Sequence, residues 1–267
     1  MTRLSQIRRF WTFGRTGWIL SRAPGTADLD NGRANLAKAL QYACQRHPNP
    51  ERKEQRIPGT ARMLRVAGRS TSINVRKVVW TLRELGEPFE LVDPSVDPLA
   101  AHSLVSLNPL ALAPVLQDGD RVLWESNTIC RYLTARSDRK DLLPDHPADR
   151  SEVEKWMDWQ ATNLNSAWVA SFMALVRGDP AFAGNADAIA RSAERWNALS
   201  LVLEAHLANA EYLALGRFTL ADIVIGLSVH RWLGTPMSKP ATPHLQRYYA
   251  ELCRSTELRS ALGAGAP

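Results

Sequence analysis

The 267 residues, 45% hydrophobic and 22% charged, have the composition of a soluble globular protein with one large domain or two ordinary ones, which excludes disordered and fibrous classes. Of the 33 basic and 27 acidic residues, 12 and 4 fall in residues 1–62, so the net charge of +6 belongs to that segment and the remainder is close to neutral. The near-neutral body excludes nucleic-acid binding through a basic stripe. No apolar run approaches the roughly 18 residues of a membrane span, and three scattered cysteines (Cys44, Cys130, Cys253) support neither a disulfide framework nor a metal cluster. A cytoplasmic location is the expectation.

Residues 1–62 read as a basic extension, expected to be poorly ordered or to precede a natural start at Met63. Leu4, Ile7, Phe10 and Trp11 are spaced for one face of a short basic helix. The first 27 residues are Arg-rich and acid-free, a composition compatible with an organelle transit peptide, whereas the lack of a following apolar stretch disfavours a secretory signal.

Residues 63–138 read as a small α/β domain. Met63 to Ala67 alternates as a strand, and Gly68 to Ser72 turns out of it into a helix marked by Val75, Val78, Val79, Leu82 and Leu85 and closed by Gly86. Phe89 to Val92 is a second strand, parallel to the first because a helix crosses between them. Ala113 to Leu116 and Val122 to Trp124 flank the hairpin signal Asp118-Gly119-Asp120, and Glu125-Ser126 opens a helix through Ile129, Tyr132 and Leu133. Residues 139–146 are a linker. Residues 147–262 are all helical, with a long helix expected from Ser151 to Arg177 and another from Asp187 to Ala208, before a short tail at 263–267. Thr219 and Asp222 form a capping box, with Phe218 stapled onto Ile223.

Three places in the first domain leave backbone groups unpaired: the turn from Ser70 to Asn74, the Ala113-Pro114 step, and the helix start at Glu125-Ser126. Ser72 precedes a helix whose free N–H groups favour an anion. Ser126 is placed to bind a carboxylate, Glu125 to accept from an ammonium, and a cis Pro114 would turn the Ala113 backbone towards an extended peptide. Together these groups suit a small zwitterionic peptide. Taken singly, Ser72 and Glu125-Ser126 read as helix caps and Pro114 as an edge-strand proline. His102, His146 and His230 have no ligand spacing, and Trp156, Trp159 and Trp168 read as core.

Ser72-x-Asn74-Val75-x-Lys77-Val78, Leu107-Asn108-Pro109 leading to Pro114-Val115-Leu116, Leu123-Trp124-Glu125-Ser126 and Phe218-Thr219-Leu220-Ala221-Asp222-Ile223 stand in order over about Met63 to Ser260. On these motifs the chain resembles the cytosolic glutathione S-transferase superfamily, bacterial serine-type, theta-like members especially. The resemblance implies a thioredoxin-like N-terminal domain followed by an all-helical one, a cis Pro114, and glutathione as co-substrate without a metal. It implies glutathione contacts at Thr71, Leu112, Ala113, Pro114, Glu125 and Ser126, and catalytic roles for Ser72 and Asn74. The implied activity is conjugation of glutathione to a small apolar electrophile by a homodimer, as in detoxification. Its rivals are glutathione-dependent peroxide or disulfide reduction and a non-catalytic adaptor. Ala111 and Ala113 stand where many members have Gly and Val, and the absence of a cysteine from the Ser70–Asn74 turn weakens the cysteine-type readings.

Overall fold

A computed structural model describes residues 10–14, 17–21 and 63–263. Phe10–Gly14 (β1) and Gly17–Ser21 (β2) pair antiparallel, Phe10 opposite Ser21 and Gly14 opposite Gly17. Phe10 and Trp11 are therefore strand residues and not part of a helical face. The aromatic and β-branched residues of this stretch favour a pleated ribbon, which outweighs the helical spacing. Leu4, Ile7 and the other residues of the extension lie outside the described residues. The hairpin belongs to a unit of its own, Met1–Gly59, and is described by itself.

The second unit begins with Leu64–Ala67 (β3), Ile73–Glu84 (α1) and Phe89–Val92 (β4), followed by Pro98–Val105 (α2), Val115–Asp118 (β5), Arg121–Trp124 (β6) and Ser126–Ala135 (α3). The sheet order is β4-β3-β5-β6, with β3 parallel to β4 and β5 antiparallel to both β3 and β6. This is the thioredoxin-like arrangement expected. Helix α2 goes unread in the sequence because it buries only Ala101 and Leu104. Its start nevertheless has a physical signal: Asp97 accepts a hydrogen bond from Ala100 N, and Pro98 occupies the first turn.

Gly68, at the end of β3, has φ 144, and a Cβ there would stand 2.5 Å from Val75 Cγ2 and 2.8 Å from the Ala113 Cβ. Only glycine lets strand, helix and the Ala113-Pro114 step converge so closely.

The helical half comprises Pro147–Trp159 (α4), a π-helical turn at Gln160–Leu164, Asn165–Ala167 (α5), Val169–Leu175 (α6), Pro180–Ala183 (α7), Ala186–Leu207 (α8), Leu220–Gly234 (α9), Pro243–Leu252 (α10) and Thr256–Leu262 (α11). The single helix expected from Ser151 to Arg177 is thus interrupted, first by the π turn and again at Trp168, and α8, with 22 residues, is longer than any of its pieces. No glycine or proline marks these breaks, so periodicity reads straight through them.

Helix α9 is buried almost throughout and is mostly apolar around its circumference, as suits a central helix, with Asp222, Ser228 and Arg231 as its buried polar exceptions. Gly226 lets it approach α1: a Cβ there would lie 3.5 Å from the buried Trp80 ring and 2.6 Å from Leu252 Cδ1. Its start carries the expected box, with Asp222 Oδ2 accepting from Thr219 N at 2.8 Å and from Thr219 Oγ1 at 3.1 Å. Asp222 Oδ1 accepts from Leu213 N and from Tyr248 OH. The box therefore also fastens α10 and the preceding loop. The Phe218 ring lies against Trp80 and Tyr212.

Candidate functional site

The turn between β3 and α1 is built on a buried carboxylate. Asp93, just past β4, accepts from Ser70 N at 2.7 Å, from Ser95 N at 2.9 Å and from Ser95 Oγ at 2.7 Å. Burial acts to raise its pKa, but the hydrogen bonds from Ser70 and Ser95 outweigh it and hold the carboxyl down at about 2. Ser72 then stands at the N-cap position of α1 with extended φ and ψ. Its backbone N–H is bound to Arg69 O, whereas its side chain makes no cap hydrogen bond. The simple capping role is therefore not the one its hydroxyl plays.

Two residues on, Asn74 Oδ1 accepts from Ser126 Oγ at 3.3 Å, which joins the start of α1 to the start of α3. Ser126 is buried, and Glu125 before it is exposed and has φ 68. A left-handed non-glycine residue at a helix start is a strained position of the sort found at binding sites.

The Ala113-Pro114 peptide bond is cis. The loop leading to it is organised by Asn108, whose Oδ1 accepts from Leu110 N and whose Nδ2 donates to Leu112 O at 2.8 Å. Ala111, where a glycine would be at ease, has φ 50. Leu112 is 43% exposed, Ala113 half-buried and Pro114 buried. Thr71 O accepts from Arg177 Nη2 at 3.1 Å, tying the turn to the end of α6.

One hydrogen bond joins two of the expected residues, Asn74 and Ser126, and the close packing at Gly68 brings the Ala113-Pro114 step up to the same strand end. A cavity of about 150 Å³ is lined in part by Ser70, Thr71 and Arg76; the larger one, about 650 Å³, lies at the α1–β4 junction and touches none of the expected site residues. His102 and His146 are exposed, and His230 Nδ1 is 2.5 Å from Tyr249 OH. Trp156, Trp159 and Trp168 are half-buried and packed against the core.

Behind this surface lies a polar cluster that sequence reasoning missed. Lys77 Nζ donates to Gln160 Oε1 at 2.7 Å and to Asn127 Oδ1 at 3.3 Å. Gln160 Nε2 donates to Ser228 Oγ, and Asn127 Nδ2 donates to Met157 O. Burial pushes the Lys77 ammonium down to about 7 and the neighbouring Cys130 thiol up to about 11. Lys77 stood in the Ser72–Val78 motif, but only the fold shows that it is buried and what it meets.

The family models for the glutathione S-transferase N-terminal and C-terminal domains match residues 67–141 and 167–255. The chain is 36% identical to the glutathione S-transferase GstB of Escherichia coli K12 over 201 residues, 74% of this chain and 96% of GstB. It is 37% identical to glutathione S-transferase 3 of Zea mays over 167 residues, 60% of this chain and 73% of that one. Among solved structures, the theta class glutathione S-transferase of Xanthomonas axonopodis pv. citri with glutathione bound superposes with a TM-score of 0.67 at 33% identity, covering 76% of this chain and 98% of that one. The chain belongs to the glutathione S-transferase superfamily and is a glutathione S-transferase.

Proposed function

We propose that this enzyme joins the sulfur of glutathione to an electrophile, with Ser72 as the residue that activates the thiol. The reading is carried by the uncommitted Ser72 side chain at the N-terminus of α1. A serine cannot deprotonate a thiol, so its role is to donate a hydrogen bond to the thiolate. Lowering a thiol pKa of about 8.5 by about 2 units requires about 2.7 kcal/mol. A hydrogen bond to a charged sulfur contributes about 1.5–3 kcal/mol and a helix N-terminus about 0.3–1 kcal/mol, which suffices. The Asn74 amide is a second donor beside the sulfur.

Glu125 and Ser126 hold the γ-glutamyl end, while Thr71, Leu112, Ala113 and Pro114 take the rest of the peptide. The sulfur forms a bond to the electrophilic carbon, and the leaving group departs with its bonding pair. Exposed Leu110, Leu112 and Trp124 beside the sheet half fit a homodimer, and the free thiols Cys130 and Cys253 fit a cytoplasmic enzyme of detoxification.

Ultraviolet difference absorbance during a glutathione titration at several pH values tests the assignment. The expected outcome is a saturable thiolate band whose apparent pKa rises by about 1–2 units in Ser72→Ala, with conjugation at pH 6.5 falling roughly 5- to 50-fold. An unchanged pH profile removes Ser72 from the role. Peroxide turnover exceeding aryl-halide turnover would favour the reductase reading instead.

A further inference from the structure

Near the Ser70–Ser72 turn the helical half presents cations without counter-charges. Arg231, on α9, is 4% exposed. Its guanidinium carbon lies 4.1 Å from the centroid of the Phe172 ring and 4.5 Å from that of Trp168, two rings that meet edge-on. Its Nε is buried with no hydrogen-bond partner. Arg177 shares the Phe172 ring at 5.4 Å, so the two guanidiniums lie no further apart than those two ring distances together. Arg177 is the residue that donates to Thr71 O, next to Ser72. Among the described residues no carboxylate pairs with either arginine. Burial, then Arg177 and Arg76, act against the charge on Arg231.

A buried guanidinium whose Nε has no acceptor, with a second, exposed guanidinium beside it, is unfavourable in the free protein, and a bound anion reverses the balance. A guanidinium stacked on aromatic faces also keeps its in-plane N–H groups for a bidentate acceptor. We propose that Arg177 and Arg231 together seat an anionic group, a carboxylate or sulfonate, on the electrophilic second substrate. This proposal rests on the assignment of Ser72 as the thiolate site and narrows the apolar electrophile to one with a negatively charged group at one end.

The test uses a matched pair, a chlorodinitrobenzoate and the corresponding chlorodinitrobenzamide. In both, the thiolate sulfur bonds to the ring carbon and chloride leaves with the bonding pair, so the two differ in charge at the far end. Corrected for the uncatalysed rates, kcat/KM is expected to favour the benzoate at least tenfold. Arg231→Met is expected to erase most of that preference while the KM for glutathione stays put, Arg177→Met, which also loses the bond to Thr71 O, to erase most of the preference, and Arg231→Lys, which keeps charge but not the fork, to retain part of it.

Benzoate binding without glutathione, followed by tryptophan fluorescence, reads the site independently of turnover. Benzoate that binds but is never conjugated would count against the Ser72 reading and not against the anion seat. Equal rates for the two compounds, a preference that survives in both methionine variants, or a loss confined to the glutathione KM would each overturn the proposal. The last would assign the arginines to glutathione's own carboxylates. Should Arg231→Met fail to fold, Arg231→Lys and Arg177→Met make the same measurement.

Discussion

Lys77 and Arg231 are both cations buried where the sheet half meets the helices, and their surroundings are opposite. Lys77 is 1% exposed and lies in a closed chain of acceptors running through Gln160, Ser228 and Asn127. Arg231 is almost as buried, yet it meets two ring faces, two other arginines and no acceptor for its Nε. A buried polar group whose partners are all supplied by the fold fixes geometry, here the seating of α1 and α3 against the π turn. A buried charge whose donors the fold leaves without an acceptor is open to a partner from outside the chain.

The largest expected effect separates the two directly. Lys77→Ala strands the Gln160 and Asn127 oxygens and opens a cavity, and is expected to cost about 3–5 kcal/mol in urea unfolding. Arg231→Met removes an uncompensated charge and is expected to stay within about 1 kcal/mol of the parent, in either direction. Equal losses would break the comparison.

A smaller effect is pH-dependent. The folded Lys77 pKa of about 7 lies below the unfolded value near 10.4, so the unfolded chain binds the extra proton between them. Lys77 therefore contributes stability that rises with pH from about 7 towards 10.4, and Lys77→Met is expected to flatten that slope from pH 7 upward, whereas Arg231→Met, which removes a group lowered to about 9 and a charge that adds to the lowering at Lys77, is expected to change it chiefly above pH 9.

The smallest effect concerns the third buried anchor, Asp93, a satisfied anion. Its folded pKa of about 2 lies below the unfolded value near 3.9, so its contribution is full above pH 4 and is lost as pH falls through 2. Asp93→Asn is expected to cost about 1 kcal/mol at neutral pH, with the gap to the parent closing on acidification. A gap that stayed constant would show that packing, not charge, holds the turn.

Much of the candidate site was legible because its parts are local. Ser72, Asn74, Glu125 and Ser126 sit at helix starts, where a few consecutive residues set both the backbone and the exposed N–H groups. The same holds for the Gly119 hairpin and the Thr219–Asp222 box. Helix α2 was missed because eight residues with two buried positions carry little periodicity. The long helix was misread because a π turn adds a residue without a breaker to announce it.

By itself the sequence determined the element types, the order of the two halves and the family's motifs, since periodicity, caps and turn residues act over a few positions. Only the tertiary structure decided that Lys77 reaches Gln160, 83 residues away, that Arg177 and Arg231 share one phenylalanine ring, and that the Ser72 hydroxyl is left free. Burial and hydrogen-bond partnership are properties of contacts between distant segments, and it is those contacts that determine whether a lysine anchors a fold or an arginine awaits a ligand.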